Sequence, residues 1–64
     1  MTSIVYLGRN NLDSTATFAI SGVRYEYFLS PIVLDKVEYM AMRISPYKAL
    51  NFAKKRATSW QRRK

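Results

Sequence analysis

The chain has no cysteine and no histidine. Disulfide bridges are therefore excluded, and so are the zinc sites built on thiolate or imidazole ligands. Glycine and proline are scarce, two of each, while 48% of the residues are apolar; that composition is too hydrophobic for a disordered tail and calls for a folded core. No apolar run approaches the about 20 residues that a membrane-spanning helix needs. Residues 1–7 have neither the charged stretch nor the apolar length of a secretory leader. A cytoplasmic protein is expected, in the host cytoplasm if it is viral. Acids are also few: four Asp and Glu against eleven Lys and Arg, with no carboxylate after Glu38. The four carboxylates are scattered, no nucleophile sits with a base, and no glycine-rich phosphate loop is present. No enzyme activity, cofactor or metal is expected.

With 64 residues, the chain makes one small domain with a thin margin of stability. Residues 3–7 form a short β-prone run that ends in the turn chemistry of Gly8, Arg9, Asn10 and Asn11. Residues 15–20 and 23–28 flank Ser21 and Gly22. A two-residue loop there pairs Ile20 with Val23, Phe18 with Tyr25 and Ala16 with Tyr27 on one apolar face. Ala19 with Arg24 and Thr17 with Glu26 then fall on the opposite, water-facing side, together with Thr15 and Phe28.

Ser30 before Pro31 and Ser45 before Pro46 are two helix starts: a hydroxyl to cap free amides, then a proline whose missing donor costs nothing at the first helical position. Val33, Val37, Met40, Ala41 and Ile44 recur at helical spacing and predict an apolar stripe against the sheet. On the second helix Ala49, Leu50, Ala53, Ala57 and Trp60 share one arc, so Trp60 is expected to close the core, with cations around the other arc. The expected order is β-β-β-α-α. This is an α+β domain in which a three-stranded antiparallel meander (residues 1–29) packs against two C-terminal helices (30–44 and 45–62).

Two blocks carry a resemblance. Residues 21–31 hold Tyr25 and Tyr27 in a Y-x-Y strand followed by Pro31. Residues 45–51 hold Ser45, Pro46, Lys48 and Asn51 at the opening of the last helix. In these residues and their spacing the chain resembles the KTSC domain family, with Tyr47 standing where that family prefers glycine. The family occurs at the end of some lysyl-tRNA synthetases and as small stand-alone bacterial and phage proteins. The resemblance implies strands followed by helices and an RNA-related setting, and it supplies no catalytic residue.

Charge is the main functional signal. Residues 1–38 are nearly balanced, whereas Arg43, Lys48, Lys54, Lys55, Arg56, Arg62, Arg63 and Lys64 follow without one acid. Such a segment attracts phosphate over a Debye length of about 8 Å at physiological salt. A solvated helix face is the plain alternative, but ordinary faces mix both signs. A non-enzymatic protein that binds RNA or DNA is expected. Lys48, Lys54, Lys55, Arg56, Arg62, Arg63 and Lys64 would hold phosphates, with Lys48, Lys55 and Arg62 in line along roughly 20 Å of helix. Phe52 either stacks on a base or packs on a strand, and Arg24 is a candidate base reader. The other function that fits is a phage-type adaptor or inhibitor that binds a host protein through the same basic surface. A basic amphipathic helix with Trp60 also suits anionic lipid, but its alanine-rich apolar face disfavours membrane insertion. A monomer is expected, with a homodimer through a free strand edge as the alternative.

Overall fold

A computed structural model describes residues 2–63. Its elements are β1 (Ile4–Asn10), β2 (Thr15–Ile20), β3 (Val23–Phe28), α1 (Pro31–Arg43), α2 (Pro46–Arg56) and β4 (Ser59–Arg63). The strands form one antiparallel sheet in the order β1-β2-β3-β4. The α+β class and the succession of three strands and two helices stand as expected. A fourth strand follows them and completes the sheet.

The β2–β3 hairpin has the register read from the sequence: Ile20 opposite Val23, Phe18 opposite Tyr25 and Ala16 opposite Tyr27. Its loop is two residues, and both have positive φ, 52° at Ser21 and 84° at Gly22. That conformation matches the right-handed twist of the flanking strands. Between β1 and β2 the register slips by one after Tyr6, where Gly8 rather than Leu7 comes opposite Thr17. Gly8, at φ 119°, permits the bulge. The turn that follows is held by the Asn10 Oδ1, which accepts from the amides of Leu12 and Asp13 at 2.9 and 3.1 Å. Thr15, expected on the open face, is 1% exposed.

Both serine–proline helix starts function as caps. Ser30 Oγ accepts from the Val33 amide and Ser45 Oγ from the Tyr47 amide. The core lies between the helices and one face of the sheet, where Ala16, Phe18 and Tyr27 meet Leu34, Val37, Ala49, Leu50 and Ala53. Phe18 is fully buried, with the rings of Tyr6 and Tyr27 at 5.3 and 6.1 Å from its own. Leu34 and Val37 lead the buried stripe of α1, with Val33, Met40 and Ala41 beside them. Ile44, expected within that stripe, is 56% exposed. It sits at the C-cap outside the helix.

The largest departure concerns the segment after Arg56. A helix over 45–62 is expected from the sequence, but α2 ends at Arg56. Ala57 takes the extended conformation, and Thr58 donates to the Phe28 carbonyl at 3.0 Å. Residues 59–63 then pair along β3. Two gains account for this. The outer edge of β3 would otherwise leave its amides and carbonyls unpaired. Alternation also places Trp60 opposite Tyr27 and Arg62 opposite Tyr25 on the helix side, with Ser59, Gln61 and Arg63 on the open side. Strand pairing and aromatic contact outweigh the modest helix propensity of the Gln-Arg-Arg run.

Candidate nucleic-acid interface

On α2 the buried arc of Ala49, Leu50 and Ala53 fixes the orientation of the other side chains. At 3.6 residues per turn Lys48, Asn51 and Lys55 point away from the core, and all three are exposed. Lys54 lies on one flank, where it borders the sheet, and Arg56 lies on the opposite flank. There the Arg56 guanidinium sits 5.2 Å from the centre of the Phe52 ring. Phe52 itself is half-buried against the core. Its ring packs against the core, with the Arg56 guanidinium over it.

Beyond α2, the structure divides the remaining sequence candidates between the two faces of the sheet. Arg62 lies on the helix side, two residues from Trp60, so the straight helical row Lys48–Lys55–Arg62 does not exist. The cations instead come from a helix and an adjacent strand. Arg24 and Arg63 face each other on the open side, where Glu26 Oε2 lies 3.7 Å from Arg63 Nε and Glu26 Oε1 accepts from Gln61 Nε2 at 2.7 Å. That shallow cleft, about 320 Å³ in volume and bordered by Arg9, Thr17, Arg24, Glu26 and Arg63, includes one carboxylate. Lys64 lies outside the described residues.

A second groove, about 400 Å³, opens on the helix side between α2 and β4. It is lined by Ile20, Tyr25, Tyr27, Lys54 and Trp60. The Trp60 and Tyr25 rings are 5.8 Å apart and tilted by 53°. Trp60 is 61% exposed, contrary to its expected place in the core: it is carried by β4, not by the apolar arc of α2. Among the described residues no carboxylate lines this groove. The remaining acids of the pairing network are elsewhere, with Asp35 and Glu38 of α1 both engaging Arg9 of β1. Asp35 is the hydrogen-bond partner that raises the Arg9 pKa above its ordinary value. Burial pushes the Tyr27 hydroxyl upward, with Tyr25 adding to the effect.

Among the described residues Lys48, Lys54, Lys55, Arg56 and Arg62 take part in no ion pair. The groove residues Tyr25, Tyr27 and Trp60 escaped sequence reasoning as site candidates because all three were assigned to the core, Trp60 on the wrong element. No helix of the described residues is long and apolar enough to cross a membrane. No protein-family model, curated protein or solved structure matches the chain.

Proposed function

We propose that the protein binds nucleic acid, without catalysing a reaction, through the cationic surface formed by α2 and β4. One observation carries this: α2 and β4 carry no carboxylate of their own and their cations Lys48, Lys54, Lys55 and Arg62 take part in no ion pair among the described residues, while the carboxylates of Asp35, Glu38 and Glu26 are engaged by Arg9, Gln61 and Arg63. An ordinary solvated surface intersperses the signs and pairs them. Here two elements carry cations alone, which suits the phosphate backbone and gives affinity with little dependence on sequence. The resemblance to the KTSC family adds a lean toward RNA.

Reversing Lys48, Lys55 and Arg62 to Glu tests the proposal. All three side chains are exposed, so the circular dichroism spectrum should be unchanged while retention on nucleic acid is lost. Undiminished retention would overturn it.

A second reading, docking onto a host or cellular protein, has its own support on α1. Ile32, Tyr39 and Met42 are 82%, 59% and 72% exposed and recur at i, i+7 and i+10 along one side of that helix. Stoichiometric capture of one partner after nuclease treatment, lost on changing Ile32 and Met42 to Ser, would favour this reading.

A further inference from the structure

The geometry points to a base-stacking subsite in the groove between α2 and β4, which makes single-stranded nucleic acid the preferred ligand; this inference rests on the nucleic-acid reading above. Trp60 is largely exposed, yet its ring is held in place by contact with Tyr25 and by the pairing of its backbone with Tyr27. A large aromatic ring fixed at an open groove offers a flat apolar surface at little cost in ordering entropy. Every nucleobase has a π-face to lay against it. The groove is uncovered because the helices pack over β1 and β2 and leave the β3–β4 side open.

Charge identifies the occupant. The groove carries Lys54 on its helical wall, and register places Arg62 beside Trp60 on the same face of β4. No carboxylate lies among its described lining residues. An aromatic platform beside two cations matches a base with its flanking phosphates. An acidic peptide would meet the same cations but would leave the aromatic face without a planar partner. In a duplex the bases are already stacked and paired, so the platform cannot engage their faces without opening the helix.

Trp60 is the only tryptophan, so its fluorescence reports the groove in the unaltered protein. The experiment titrates the full chain with three probes of matched phosphate number: a single-stranded oligonucleotide, the same strand with abasic sites throughout, and a duplex. The base-bearing strand should quench Trp60 and bind roughly 5- to 150-fold more tightly than the abasic strand. Trp60→Ala should erase that difference while leaving abasic affinity and its salt dependence intact, and Trp60→Phe should restore part of it. Equal affinity for base-bearing and abasic strands, with Trp60 unquenched, would overturn the subsite while leaving the cationic surface standing. A duplex that quenches as strongly as the single strand would also overturn it. If no probe binds, the reading beneath it fails, and the subsite with it.

Discussion

Tyr6 shows how one side chain couples the core to solution conditions. Its ring packs on Phe18, and its hydroxyl oxygen is buried without a hydrogen-bond partner. Burial, reinforced by Glu38 and opposed by Arg9, pushes its pKa from 10.0 to about 12. Because the folded value is the higher one, its contribution to stability is complete below pH 10 and is lost as pH rises toward about 12. Tyr6→Phe removes both the ionisation and the unpaired oxygen. Thermal melts across this range should show the variant at least as stable as the parent at neutral pH and less sensitive to alkali. Gly22 gives a second test of a single residue. Nothing lies within 4 Å of where a Cβ would sit, but φ is 84°. Gly22→Ala should therefore cost about 1–2 kcal/mol by denaturant titration, from backbone conformation alone. The hairpin around it was legible in the sequence because two constraints agreed: period-two patterning set the faces, and the short loop set the register.

At the scale of elements, β4 is what the sequence did not disclose. Both serine–proline caps were readable because capping is local chemistry, involving a side chain and amides two or three residues away. The end of α2 is a non-local event, decided by the unpaired edge of β3 and by the aromatic side chains of Tyr25 and Tyr27. On a helical wheel Trp60 falls with Ala53 and Ala57, so helical periodicity gave a consistent answer that pairing with β3 overrode. The cations were legible as composition, but the groove was not, since it exists only once β4 lies beside β3. Thr58→Pro tests this link by removing the amide that donates to the Phe28 carbonyl at the entry to β4. Hydrogen exchange should then show residues 59–63 and the facing amides of β3 losing protection, while β1, β2 and the α1 core retain theirs. Binding of single strands should weaken in parallel.

The whole molecule, about 30 × 27 × 18 Å, keeps its side-chain carboxylates off α2 and β4. Arg9 draws Asp35 and Glu38 together where α1 meets β1, Glu26 is engaged on the open sheet face, and the cations of α2 and Arg62 are left to solvent. With a net charge of +7, association with a polyanion should be steered over distances longer than contact and weaken steeply with salt. The most direct test of that claim is the affinity of the intact protein for a labelled single-stranded oligonucleotide between about 50 and 200 mM salt. With about four phosphates neutralised, the log–log slope should be near −3, a loss of roughly 60-fold across the range. A flat response would contradict the claim that unpaired cations on α2 and β4 hold a phosphate backbone.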